Sequence, residues 1–307
     1  MTQPSGRSRI RSRRAARLPD FLIVGAAKSG TTSLFAWLCE QPEIWSPQVK
    51  EPEFFSHERV WRRGVAWYGR MFAGAGTDRL CGEASPSYTK LAYSETAAER
   101  IAATIPDVRI VYVLRHPIER LRSHYRHEVQ RGRERRPLAQ ALADPGNEYV
   151  GTSSYSARLE PYTRLLDRGQ IQVVRFEDLV APAAPGWSAI IAHLGLPDRP
   201  RPEGVYNVTA DKLGFTRTME RLWKLGLLRP TKYLPGPVRR LGKRALTRSG
   251  SDYTAELDRS HAQIPEHVER GIWDDVGQLE RWLGVDRPLW PEIEPAREAA
   301  DDGTGSP

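Results

Sequence analysis

The chain is poor in sulfur, with two cysteines and three methionines in 307 residues. Cys39 and Cys81 are too few for a disulfide framework and lack the paired spacing of a metal site, so both are expected as small core residues in a reducing, cytoplasmic setting. Long apolar runs are missing as well. No stretch approaches the ~18 consecutive apolar residues that a membrane-spanning helix requires, and the sequence predicts a soluble protein. The amino terminus, MTQPSGRSRIRSRRAARLPD, is basic, but Pro19, Asp20 and Lys28 break the apolar run that a cleaved leader would need. Residues 1–19 are therefore expected to be a disordered basic tail. No internal repeat is present. The net charge of +8 comes without helix-turn-helix, zinc-finger or RNP-type patterning, so nucleic acid is not the expected partner and acidic small ligands account for the charge equally well.

What the sequence does contain is a strand–helix alternation. At 39% hydrophobic residues with nine tryptophans, the chain can bury a sizeable core. Apolar, β-branched runs at 20–25, 43–46, 79–82, 108–114 and 171–176 predict strands, and helical spacing falls near 31–41, 94–105, 117–131, 153–168 and 186–195. That order predicts an α/β domain: a parallel sheet of about five strands flanked by helices on both faces. One domain is expected over 20–290. Its helical C-terminal part ends in an amphipathic segment at 265–283, and 291–307 form a polar, disordered tail. Between them, the stretch 217–248 has one acidic residue, Glu220, among ten arginines and lysines. The sequence predicts a basic helical insertion over 217–250, broken by Pro230, Pro235 and Pro237.

Two stretches carry chemistry. In FLIVGAAKSGTTSLFAWL (21–38) a strand passes through Gly25 and Gly30 into a helix, which leaves backbone N–H groups and the positive end of the helix dipole facing an anion such as phosphate. Lys28 precedes Gly30, and Thr31 and Thr32 follow it. In the triphosphate-binding loop the lysine comes after the second glycine and is followed by a Mg²⁺-binding hydroxyl, so a different phosphate ligand is indicated. The second stretch, IVYVLRHPIERLRSHY (110–125), is a buried strand ending in Arg115, with Pro117 at a first helical position and Ser123 two turns on. A triphosphate-hydrolysing enzyme would carry a Mg²⁺-binding acid after such a strand; arginine stands there instead. Arg115 and Ser123 could grip one dianionic phosphate, or Arg115 could pair with Glu119 while Ser123 faces solvent. His124 and His127 share a helix face, but no third ligand completes a metal site, and surface or supporting positions are expected for them.

Together these motifs resemble the sulfotransferases that use 3′-phosphoadenylyl sulfate (PAPS), in the bacterial and Golgi-type carbohydrate branch. KSGTTSL is similar to the family's 5′-phosphosulfate loop and LRHPIERLRSHY to its 3′-phosphate segment. KEPEFF (50–55), GEASPSY (82–88), SSYSARLEPYTRLL (153–166) and VVRFEDL (173–179) extend the likeness, in order, over 20 to about 196. The resemblance implies a P-loop-type sheet with PAPS as donor, PAP as product and no metal. It places Lys28 at the leaving oxygen, Ser29, Gly30, Thr31, Thr32 and Ser33 around the 5′-phosphate, and Arg115 and Ser123 on the 3′-phosphate. Tyr155 either touches the nucleotide or is a packed aromatic. Glu51 is the base implied by KEPEFF, with Glu53 supporting it; Glu83 is the rival base, and His57 stands outside the histidine-base motif of the phenol and steroid enzymes. The acceptor stays open: a carbohydrate, glycolipid or secondary metabolite of a bacterium is suggested by arginine- and alanine-rich usage alone. The basic segment could close over the 3′-phosphate, attract an anionic glycan or lie against acidic lipid headgroups. Two readings of other classes stand beside this one: a small-molecule kinase using ATP, and a basic nucleic-acid binder. The sequence carries no sign of oligomeric state.

Overall fold

The computed structural model describes residues 17–45, 47, 49–144, 146–203 and 264–291. Strand β1 (Phe21–Gly25) leads through the glycine-containing turn into helix α1 (Thr31–Cys39). Strands β2 (Ile44–Trp45) and β3 (Leu80–Ala84) follow, then helix α2 (Ser94–Thr104), strand β4 (Arg109–Leu114) and helix α3 (Pro117–Gln130). Helix α4 (Tyr155–Leu165), strand β5 (Ile171–Arg175) and helices α5 (Phe176–Val180), α6 (Pro185–His193) and α7 (Glu266–Leu283) complete the frame. Among the described residues the strands form one sheet in the order β2-β3-β1-β4-β5, and every pair is parallel. The basic insertion at 217–250 lies outside the described residues, as do the two tails apart from 17–19 and Pro291.

The uninterrupted apolar character of β1 has a direct cause: all five of its residues are buried, because helices cover both faces of the sheet. Side chains alternate between two cores. Phe21, Ile23, Val111 and Val113 face a layer built from Leu34 and Trp37 of α1 and Trp187, Ile190 and Ile191 of α6. Leu22, Val24, Ile110, Tyr112 and Leu114 face the other, with Ala97 and Ile101 of α2, Leu121 of α3, Leu159 and Tyr162 of α4, and Ile272, Val276 and Leu279 of α7. Each large side chain so buried contributes roughly 1.5–3 kcal/mol. Cys81 is in this core, whereas Cys39, at the end of α1, is only partly buried and is not the core residue expected.

Those cores locate the site. The helix after β1 packs on one face of the sheet, and the helices after β3 and β4 pack on the other. Neighbouring connections therefore diverge at the carboxyl ends of the central strands, and the crevice they leave is where open α/β sheets bind ligands.

Candidate active site

The loop after β1 is held from several sides. The Ala26 amide donates to the Val113 carbonyl at 2.7 Å, and the Thr89 hydroxyl donates to the Val24 carbonyl at 3.0 Å. Lys28 has φ 75°, and Gly30, at φ 81°, stands at the N-terminal cap of α1 without a side chain to occupy the first amides of the helix. A Cβ on Gly30 would meet the Phe176 ring at 2.5 Å. The Arg115 guanidinium lies 5.7 Å from the centroid of that same ring, so Phe176 lies against both the head of α1 and the arginine at the end of β4. The Ser29 hydroxyl is wholly buried beside the Tyr155 hydroxyl. A left-handed cap without a side chain, amides at a helix head and a buried hydroxyl suit a phosphate oxygen acceptor.

Arg115 sits 4.0 Å from Glu119, at the limit of an ion pair, and its side chain keeps partial exposure. Its main chain is fixed by Tyr155, whose hydroxyl donates to the Arg115 carbonyl at 2.6 Å. Tyr155 is wholly buried at the start of α4. The next amide, His116, donates to Glu177 at 2.9 Å. Ser123 is 3% exposed and His124 5%, so the solvent-facing serine and the surface histidine considered from sequence are both overturned: these positions lie on the inward stripe of α3 with Ile118 and Leu121.

The carboxylates form a second group. Phe54 and Phe55 are buried, Phe54 stacked on Tyr68 with centroids 4.3 Å apart, and they anchor the 50–55 loop in the core. Glu51 (φ 48°) and Glu53 (φ 54°) are both held in left-handed backbone, with their carboxylates left accessible. Glu53 lies 3.9 Å from His57. Glu83, at the end of β3, is 1% exposed and accepts from Tyr88 at 2.6 Å, Ser85 at 2.7 Å and Tyr68 at 3.0 Å. Burial pushes its pKa up to about 7, the three hydroxyls oppose that shift, and the nearby Glu51 charge adds to it. The Ser85 hydroxyl also accepts from the Glu53 amide at 3.0 Å, so Glu83 fixes the turn that carries the two exposed glutamates.

The family model described as the sulfotransferase domain matches residues 18–213, well over half of the chain. The chain belongs to the sulfotransferase family. Among curated proteins it is similar to heparan sulfate glucosamine 3-O-sulfotransferase 3A1 of Mus musculus, at 27% identity over 63% of this chain and 50% of that protein. It is also similar to the bifunctional heparan sulfate N-deacetylase/N-sulfotransferase 2 of Homo sapiens, at 30% identity over 59% of this chain and 22% of the relative. The membrane-associated sulfotransferase kil1 of Dictyostelium discoideum is 32% identical over 37% of this chain and 24% of its own length. The matched part thus spans half or less of these relatives. A solved sulfotransferase from Alicyclobacillus acidocaldarius has the same fold, with a TM-score of 0.59 and 24% identity over 89% of this chain and 98% of that one. No helix among the described residues is long and apolar enough to cross a membrane.

Sequence reasoning missed several supporting groups: Thr89, Phe176, Glu177, Ser85 and Arg120. Ser85, Phe176, Glu177 and Arg120 lie within segments the sequence did single out, but their partners, Glu53, Gly30, His116 and Ala27, are far away in the chain and only the fold brings them together.

Proposed function

We propose that this sulfotransferase-family chain moves a sulfuryl group from PAPS to a hydroxyl or amine of a carbohydrate, glycolipid or secondary-metabolite acceptor and releases PAP. One observation carries the reading. Among the described residues only four that are not glycine have positive φ, and three of them are Lys28, Glu51 and Glu53. Left-handed backbone costs on the order of 1–2 kcal/mol per residue and persists where the surroundings over-determine it, characteristically at functional sites. Two separate loops thus hold strain at the residues that the chemistry requires. Relatives whose names specify O- and N-sulfation of heparan sulfate support a saccharide acceptor.

PAPS supplies an activated sulfuryl group on a phosphate leaving group. Lys28 and the amides and hydroxyls of Ser29 to Ser33 hold the 5′-phosphate, and Lys28 stabilises the negative charge that gathers on the bridging oxygen as the sulfur–oxygen bond breaks. Arg115 and Ser123 take the 3′-phosphate. Tyr155, whose hydroxyl is already used on the Arg115 carbonyl, positions that arginine. Glu51 accepts the acceptor's proton as its oxygen or nitrogen bonds to sulfur, and Glu53 helps to orient the acceptor. We assign Glu83 a structural part, because three hydroxyls already occupy it. No step in this scheme needs a metal. Two free cysteines favour work in a reducing, cytoplasmic compartment.

Incubation with ³⁵S-labelled PAPS and a fractionated extract of the source cell tests the assignment. Label is expected in a saccharide-containing product. Lys28→Ala should cut turnover by roughly 10²-fold or more, and Glu51→Gln should remove most transfer while leaving PAP binding nearly intact. Transfer from γ-labelled ATP with Mg²⁺, and none from PAPS, would replace this reading with a kinase.

A further inference from the structure

Arg120, on α3, is wholly buried. Its Nε donates to the Ser153 hydroxyl at 2.8 Å, and one terminal nitrogen lies 3.3 Å from both the Ala27 carbonyl and His124 Nδ1. The other terminal nitrogen donates to the Tyr149 carbonyl. All four acceptors are neutral. His124 is uncharged because burial and the Arg120 charge hold its pKa well below the usual imidazole range, so its Nδ1 accepts and its proton sits on Nε2. The guanidinium keeps its own proton, since burial lowers its pKa only to about 10. Among the described residues no carboxylate is in ion-pair contact with it. Glu148 exerts some attraction, but its oxygens accept from the Leu91 and Ala92 amides and the Thr152 hydroxyl. Burying a charge without a counter-charge is costly. The cation also touches the loop that carries Lys28 and Ser29, through the carbonyl one residue before Lys28.

We propose that Arg120 is a positioning residue for the donor's 5′-phosphate: it fixes the Ala27 carbonyl, and with it the loop amides, and the negative charge of the bound 5′-phosphosulfate, or of the 5′-phosphate of the product, completes its charge balance. The inference rests on the donor assignment made above. It predicts a division of labour between the end of β4 and α3. Arg120 acts on the 5′-phosphate through the loop, whereas Arg115 and Ser123 act on the 3′-phosphate.

Calorimetric titration of the full chain with 5′-AMP, 3′-AMP and adenosine 3′,5′-bisphosphate separates the possibilities. Arg120→Met should weaken 5′-AMP and the bisphosphate by tenfold or more and 3′-AMP by less than threefold. Arg120→Lys keeps the charge but cannot span Ala27, Ser153 and Tyr149, so it should recover part of the loss. Equal losses for all three ligands would mark a merely structural arginine, and unchanged binding would refute the role outright. Should Arg120→Met not fold, the lysine variant decides by the same comparison: its loss for 5′-AMP must exceed that for 3′-AMP. Wild-type protein that binds none of the three ligands would refute the donor assignment and this role together. Wild-type binding with indifferent variants would refute this role alone.

Discussion

The environment of Glu83 supports the structural part proposed for it. A base needs a free lone pair within reach of the acceptor, and this carboxylate accepts three hydroxyl hydrogen bonds at 1% exposure. Its raised pKa has a consequence for stability. Between about pH 4.5 and about 7 the folded protein keeps a proton that the unfolded chain has lost, so this residue's contribution falls as pH rises through that window. The full difference is on the order of 3 kcal/mol. Urea unfolding across pH 4.5–8 should therefore show a wild-type decline, relative to Glu83→Gln, confined to that window. A constant difference between the two proteins at every pH would contradict the shift. At this scale Lys28 and Arg115 were legible in sequence because a glycine-bracketed turn and a strand end announce them. The hydroxyl cage of Glu83 was not, because Tyr68 lies fifteen residues away and only the folded chain brings it to β3.

At the scale of elements, the long periodic segments were legible almost to the residue. All five strands and α1, α2, α3, α6 and α7 fall within two residues of the expected bounds. Helix α4 is shorter than the 153–168 expected. Asp275 of α7 accepts from the Ser156 and Ala157 amides at 2.8 and 3.0 Å, so its cap comes from 118 residues further along the chain, where no local window finds it. The helical turns at Glu58–Trp61, Val65–Arg70, Leu138–Leu142 and Glu148–Gly151 were missed because pieces of four to six residues are too short to display a period and owe their existence to packing. In the proposed scheme donor binding turns on the head of α1. Gly30→Ala sets a side chain in left-handed backbone, at a cost of about 1–2 kcal/mol, and drives its Cβ into Phe176. PAP affinity should fall at least tenfold, as titration would show; unchanged affinity would mean that the tight approach of ring to loop is dispensable.

For the whole molecule, the doubly covered parallel sheet and its divergent central connections bring the loop after β1, Arg115 and the strained glutamates to the carboxyl ends of neighbouring strands. Helix α7 closes the arrangement through Asp275 and through Trp273, whose ring centroid is 5.5 Å from that of His116. A site of this kind selects a nucleotide by its phosphates. In the proposed scheme Arg115 and Ser123 take the 3′-phosphate, and each charge-assisted bond to it is worth about 1.5–3 kcal/mol. Calorimetry with PAP and with 5′-AMP in the presence of EDTA is the most direct test. The account predicts that wild-type protein prefers PAP by at least an order of magnitude, that EDTA changes neither affinity, and that Arg115→Ala erases much of the preference. Equal affinity for the two nucleotides, or PAP binding that requires Mg²⁺, would contradict it.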